Sequence, residues 1–340
     1  MSTTLGTLIC ALGGIAGAVF ALPFRGTKQW KYESSWLVYT LAGMLVFPLI
    51  LACVTTNGEL FSILDAAEGA TLARCIAFGA LWGFGGLTWG LMIRYLGIGL
   101  GLAIGCGLCS AAGTLVPPLV TGHAADLVAN QQAIITLVSV VVSLVGIVFV
   151  GLAGKLKEGD LDDEARKKAV ADFDFKKGMI VALFSGIASA GMNFGLQSGA
   201  MLEAAAKTAG TPDQWSGMPV LVVVLWGGFI VNIIWCLVMN AKNKSFGDYF
   251  RAPACWGLAA LAGVIWALQF ACQKIGEPAM GEMRYISFAV VMGSCVLFSS
   301  LLGIGLGEWK GTRGRTKGVL ALGLVILAVS IGVAVLAKSF

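Results

Sequence analysis

Ser185, Ser189, Asn193 and Gln197 follow one another at i+4 steps, so on a helix they form a polar stripe that drifts only about 40° per step. The two amides donate and accept at once, which suits the hydroxyl groups of a sugar. Trp266, Gln269 and Gln273 fall within about 60° of one another and set an aromatic plate beside further amides. Trp82 and Trp89 stand one above the other at i, i+7, Asn232 sits near the middle of another apolar run, and Tyr285 and Ser287 open a later one. Groups of this kind are costly in hydrocarbon and face either a cavity or a partner helix. Two accounts fit: interhelical hydrogen bonds worth about 1 kcal/mol or less per pair, or a polar pocket lined by Trp82, Trp89, Asn193, Gln197, Trp266, Gln269 and Tyr285. The recurrence of amide and Trp faces on three separate runs favours the pocket.

Charged groups are confined to the ends of the apolar runs. The nearest carboxylates are Glu33, Glu203, Glu282 and Glu308, and interfacial solvation is their ordinary role, with Glu33 also suited to a helix start. A carrier coupled to protons needs one carboxylate that faces the pathway and exchanges a proton. Glu203, Glu33 and Glu282 are the candidates, and Glu203 leads because it continues the helix of the Asn193/Gln197 stripe. It also opens EAAAK, where an i, i+4 pair with Lys207 would make it a plain surface residue.

Catalytic and metal chemistry find no constellation. His123 is the only histidine, so neither a Ser/His/Asp triad nor a His cluster for zinc can be assembled. Nine cysteines sit inside or at the ends of apolar runs as small packing residues, and Cys106-x-x-Cys109 resembles a redox or metal motif in spacing alone. Gly97-Ile98-Gly99-Leu100-Gly101 opens a membrane helix and follows no strand, so it is no dinucleotide loop. The expectation is a protein that is not an enzyme and holds neither cofactor nor metal.

The elements that would position these residues follow from composition. With 58% apolar and 12% charged residues among 340, against about 25% charged in globular proteins, the chain is a polytopic, all-α integral membrane protein. Its mean hydropathy is +0.87. The net charge of +5 carries no nucleic-acid signal, because the basic residues lie in short loops and not on a patch with aromatics. Ten apolar runs, near 4–24, 36–54, 74–95, 98–121, 133–154, 178–200, 218–240, 254–273, 285–307 and 318–337, are each about long enough to cross the hydrocarbon core. On the third, Gly79, Gly83, Gly86 and Gly90 share a face, and on the fourth Gly97, Gly101 and Gly105 do, so backbones can touch there.

Eighteen of the 23 basic residues fall in the connections after the odd-numbered runs, which places those connections in the cytoplasm and both termini outside. The segment 155–177 carries 14 charged residues in 23 and reads as a cytoplasmic linker between 1–154 and 178–340. Five spans per half make the second half enter the membrane in the opposite sense, so two inverted five-helix repeats are expected. The runs Gly14 to Ala18 and Gly186 to Ala190 open the halves alike. The stretch 59–71 is amphipathic and suits the outer surface.

The order of spans, with LWGFG (81–85), MIRYLGIGLGLAIG (92–105), GTLVPP (113–118), SAGM (189–192), EAAA (203–206), LQF (268–270), YIS (285–287) and EW (308–309), resembles the L-rhamnose/proton symporter family of the drug/metabolite transporter superfamily. The resemblance covers essentially the whole chain, and 92–105 is its most specific part. It implies ten helices in two inverted repeats, and import of a deoxy-sugar with protons across a bacterial inner membrane by alternating access. The alternative is an exporter or exchanger of another small polar metabolite. The expected partners are the sugar, protons and the lipid bilayer, with no nucleic acid. The chain departs from the family pattern around span nine, where Arg284, Phe288 and Val291 replace an acidic residue, an aromatic and a His, which bears on the identity of the sugar.

Overall fold

The computed structural model describes residues 2–120, 128–161, 164, 170, 172–280 and 287–336, and these contain helices and turns but no strand. Eight stretches among them are long and apolar enough to cross a bilayer: Thr4–Gly26, Tyr32–Thr55, Gly69–Leu96, Ala133–Asp160, Phe175–Thr208, Asp213–Asn243, Ala254–Met280 and Ser287–Gly305.

Local chemistry sets the helix ends. Helix α1 (Thr3–Val19) starts at Ser2, whose hydroxyl accepts the Leu5 N–H. Helix α2 (Tyr32–Thr55) widens into a π turn over Leu41–Val46, where the Phe47 N–H reaches back to the Ala42 carbonyl. Pro48 is the cause at hand: it has no N–H to donate and its ring displaces the preceding turn. The short α3 (Leu60–Asp65) buries Leu60, Ile63 and Leu64 at i, i+3, i+4, which matches the amphipathic reading of this stretch.

Helices α4 (Gly69–Leu96) and α5 (Ile98–Val120) are joined by Gly97 alone, at φ +86°. Glycine is required there twice over, by the left-handed backbone and because a Cβ would lie 2.8 Å from Glu308 Oε2. Helix α6 (Gln131–Asp160) is capped by Asn130. The apolar run expected as one span at 178–200 is longer and broken into α7 (Phe175–Ser189), α8 (Gly191–Ser198) and α9 (Ala200–Thr208). The break after Ser189 divides the Ser185/Ser189/Asn193/Gln197 stripe, which a regular helix would have kept on one side. It coincides with a packing demand: a Cβ at Gly191 would lie 2.8 Å from the Phe78 carbonyl oxygen of α4. Four helices follow: α10 (Met218–Asn243), α11 (Ala254–Gly276), α12 (Ser287–Gly305) and α13 (Gly314–Leu336).

The chain forms two compact units, Met1–Phe84 with Gly191–Gly281, and Gly85–Ala190 with Glu282–Phe340. Each draws on both sequence halves. In the first unit, α1 packs along α11 through Gly6 and Gly276, and α2 meets α11 where Gly43 abuts Gly263. The first part of α4 meets α10 just as closely: a Cβ at Gly79 would overlap the Val224 carbonyl oxygen, and one at Gly227 the Ile76 carbonyl oxygen. In the second unit α5 packs on α12, with Gly99 facing Gly303, and α6 packs on α13. The face expected at Gly101 and Gly105 is milder. A Cβ at Gly101 would lie 3.3 Å from the Met92 carbonyl oxygen, and one at Gly105 would meet the Met92 and Trp89 side chains first.

Gly79→Ala should therefore lower stability by about 1–3 kcal/mol through overpacking, and by more than Gly101→Ala. The check is the temperature at which the buried cysteines become reactive to a fluorogenic maleimide; an unchanged midpoint for Gly79→Ala would show that α4 and α10 are not in backbone contact.

Candidate functional site

The first unit holds a run of aromatic rings in contact. Tyr32 stacks on Trp36, Trp36 on Tyr39 with centroids 4.5 Å apart, and Tyr39 reaches Trp266, which stacks on Trp82 at 5.2 Å with planes 17° apart. Phe270 meets both indoles edge-on. Trp82 comes from α4 and Trp266 from α11, and Gly228 of α10 makes room for the Trp82 ring. The polar end of this run is fixed. Trp36 Nε1 donates to Asn232 Oδ1 at 2.8 Å, and Asn232 Nδ2 donates to the Gly83 and Gly228 carbonyls, so one buried amide links α2, α4 and α10. Asn232 thus serves the interhelical role weighed above, while its neighbours frame the aromatic surface.

Gln269 lies one turn beyond Trp266 and is 6% exposed. Asn193 is half-buried on α8, and Gln197 of the same helix is exposed. Trp89 belongs to the second unit, half-buried beside Gly105, so the i, i+7 pair with Trp82 is divided between the units. Phe288 and Val291 are buried in α12. Tyr285 and Glu282 lie outside the described residues, as do Arg284 and His123.

The carboxylates depart furthest from their sequence reading. Glu203, in the first turn of α9, is buried and pairs with Lys274 of α11 at 3.1 Å, and Lys274 Nζ also meets Glu277 at 3.0 Å. The expected Glu203–Lys207 pair is absent from this arrangement because Lys207 turns to Asp213. Only 4% of the Lys274 side chain is exposed, and its stem runs over Gly217, where any side chain would collide with it. Two carboxylates thus meet one ammonium in a nearly dry place. Sequence reading missed Lys274, although one signal was there: it is among the few basic residues on the side opposite to the basic loops.

Glu33 is likewise 5% exposed and not merely solvated at an interface. Its Oε1 accepts from Asn243 Nδ2 and Ser245 Oγ, beyond which Asn240, Ser34, Asp248 and Tyr249 continue a hydrogen-bonded network between the start of α2 and the end of α10. Burial among these groups pushes the Tyr249 hydroxyl up to about 12. Glu308, 5% exposed, caps α5 by accepting the Ile98 and Gly99 N–H groups at 2.8 and 3.0 Å. Lys157, inside the charge-rich 155–177 segment, is 1% exposed and sits 5.0 Å from the Trp309 ring centroid and 5.1 Å from that of Phe173. Cys106 faces Cys295 of α12 at 3.4 Å, so its contact is across helices and not along the Cys-x-x-Cys spacing.

Lys274→Ala would remove the ammonium that Glu203 and Glu277 share, and breaking a buried ion pair in this way costs about 3–5 kcal/mol. Lys274→Met with Glu203→Gln removes both charges and should recover much of that loss. Thermal unfolding of the purified variants checks this, and a Lys274→Ala protein as stable as the parent would mean the ion pair is hydrated.

The comparisons with known proteins bear on the whole chain. The family model described as L-rhamnose-proton symport protein matches residues 1–339. A protein from Cronobacter sakazakii named L-rhamnose-proton symporter is 32% identical over 335 residues, covering 96% of this chain and 95% of its own. Proteins of the same name from Klebsiella pneumoniae and Escherichia coli are each 31% identical over 96% of both chains. No solved structure matches. A match running from end to end of a chain whose helices suit a bilayer leaves one conclusion: this multi-pass membrane protein belongs to the L-rhamnose-proton symport protein family of transporters, and not to an enzyme family.

Proposed function

We propose that this protein imports L-rhamnose or a related 6-deoxy-sugar together with protons, by alternating access, across the bacterial inner membrane. The observation that carries the proposal is the end-to-end match to relatives named L-rhamnose-proton symporter, at 31–32% identity over 96% of the chain. The proposed fold is ten transmembrane helices in two inverted five-helix repeats, 1–154 and 178–340, joined by the cytoplasmic linker 155–177, with both termini outside. Packing supports it: α2 with α10, α5 with α12 and α6 with α13 are the contacts expected between repeat-equivalent helices about a two-fold axis in the membrane plane. The distribution of basic residues supports the orientation.

For the sugar, the proposed ligands are Trp82, Trp89, Asn193, Gln197, Trp266, Gln269 and Tyr285. Trp82 and Trp266 stack on each other in this conformation, so a sugar face would exchange Trp–Trp contact for Trp–sugar contact. Gln269 beside them offers a donor and an acceptor to neighbouring hydroxyls. For the proton, Glu203 is the proposed carrier ahead of Glu33 and Glu282. The Glu203–Lys274–Glu277 group supports this choice, since a proton on Glu203 would still leave Lys274 a carboxylate partner in Glu277. Glu33 instead holds two donors that tie α2 to α10.

The deciding experiment is pH-gradient-driven uptake into proteoliposomes, with a panel of 6-deoxy-sugars and pentoses, set against counterflow without a gradient. Accumulation of a 6-deoxy-sugar that collapses with the gradient is expected; counterflow alone would make the protein an exchanger. Gln269→Ala should weaken sugar affinity about 5- to 150-fold through lost hydrogen bonds and unpaired partners. Glu203→Gln should abolish gradient-driven accumulation and keep counterflow, because the amide mimics the protonated acid. Unchanged accumulation in Glu203→Gln would pass the role to Glu33 or Glu282.

A further inference from the structure

In the unit that contains α12 and α13, a cleft of about 390 Å³ opens where α12 ends and α13 begins. Its lining combines the apolar Ile304, Trp309, Leu320 and Leu324 with the cationic Lys310 and Lys317. Both lysines are exposed, and among the described residues neither is paired with a carboxylate. Among the described residues no acidic side chain lines the cleft. The carboxylate adjacent in sequence, Glu308, accepts the Ile98 and Gly99 N–H groups of α5 and makes no ion pair with either lysine among the described residues. A third cation stands close, since Lys157 Nζ lies 5.0 Å from the centroid of Trp309. That amine is buried and makes no hydrogen bond among the described residues.

We propose that this cleft binds an anionic phospholipid, the phosphate between Lys310 and Lys317 and the glycerol and upper acyl chain against Ile304, Leu320 and Leu324. The place suits that occupant. Apolar helices end here, so the headgroup layer of a bilayer lies at the level of the lysines and the acyl layer at the level of the leucines. A soluble phosphate would satisfy the ammoniums and gain nothing from the apolar wall. A zwitterionic lipid would fill the wall and leave the cleft's positive charge uncompensated. Only an anionic lipid answers both, and basic pockets between membrane helices take such headgroups for this reason.

The test titrates delipidated protein in a non-ionic detergent with short-chain phosphatidylglycerol, short-chain phosphatidylcholine and inorganic phosphate, read by native mass spectrometry. Saturable phosphatidylglycerol binding is expected, not displaced by millimolar phosphate. Lys310→Gln with Lys317→Gln should weaken it about tenfold or more, as the loss of two interfacial cations implies. Ala321→Trp, which fills the cleft and keeps both charges, should weaken it comparably. The three positions are exposed, and the thiol-reactivity melt verifies that the variants are folded. Equal binding of phosphatidylcholine, displacement by inorganic phosphate, or phosphatidylglycerol binding unchanged in both folded variants would each overturn the proposal. Should a variant not fold, the comparison of the three probes on the parent protein still decides it.

Discussion

Inside a bilayer one apolar helix gains nothing by leaving lipid for another apolar helix, so helices hold together by touching closely enough for dispersion and by placing polar groups where they find partners. Close approach is the constraint from which this structure follows. Gly79 and Gly227 bring α4 and α10 into backbone contact, Gly43 and Gly263 do so for α2 and α11, and Gly6 and Gly276 for α1 and α11. With the backbones this near, the larger side chains are forced into the spaces that remain. Trp82 is admitted by the missing side chain of Gly228 and so comes to lie flat on Trp266. The lysine stem of Lys274 passes over Gly217 by the same device. Glycine here acts less as a flexible residue than as an absent side chain that decides where its neighbours go.

The second consequence concerns charge. Once helices pack this tightly, any ionised group left among them must be paired or hydrogen-bonded, since a bare charge in a low-dielectric interior costs several kcal/mol. Each buried carboxylate solves this differently. Glu308 uses the free N–H groups at the start of α5, Glu33 uses an amide and a hydroxyl from the end of α10, and Glu203 shares an ammonium with Glu277. The first two arrangements are neutralised by fixed dipoles and act as fastenings. The third is held by the ammonium of Lys274, an ionic partner and not a fixed dipole, and that separates it chemically from the other two. A family of proton-coupled carriers needs a titratable group in its pathway, and Glu203 on α9 is the one proposed for that role in this chain.

The broken run from Phe175 to Thr208 carries the same lesson for the sugar side. Interruptions in a membrane helix free backbone groups and change the direction of side chains, and transporters use them near their binding sites. Here the interruption separates Ser185 and Ser189 from Asn193 and Gln197, assigning them to different compact units. Helix α4 also passes from one unit to the other, between Phe84 and Gly85, which divides Trp82 from Trp89.

The sequence alone determined what depends on composition and local order: an all-helical membrane protein, its apolar runs, the amphipathic short helix, and the family, because a long gapless stretch such as 92–105 is specific without any geometry. It also singled out Trp82, Trp266 and Gln269 through the periodicity of α4 and α11, and the structure stacks the first two on each other. What it could not contain were relations between helices far apart in the chain. Lys274 and Glu203 are 71 positions apart, and nothing local distinguishes their pairing from Glu203 with Lys207. Lys157 reads as one more charge in a solvated linker until Phe173 and Trp309 close around it. Glu308 reads as an interfacial acid until the left-handed turn at Gly97 presents two N–H groups to it. Tertiary structure decided these cases because the energy of a buried charge is set by whatever the fold places within about 4 Å of it, and that neighbour is chosen by packing, not by sequence spacing.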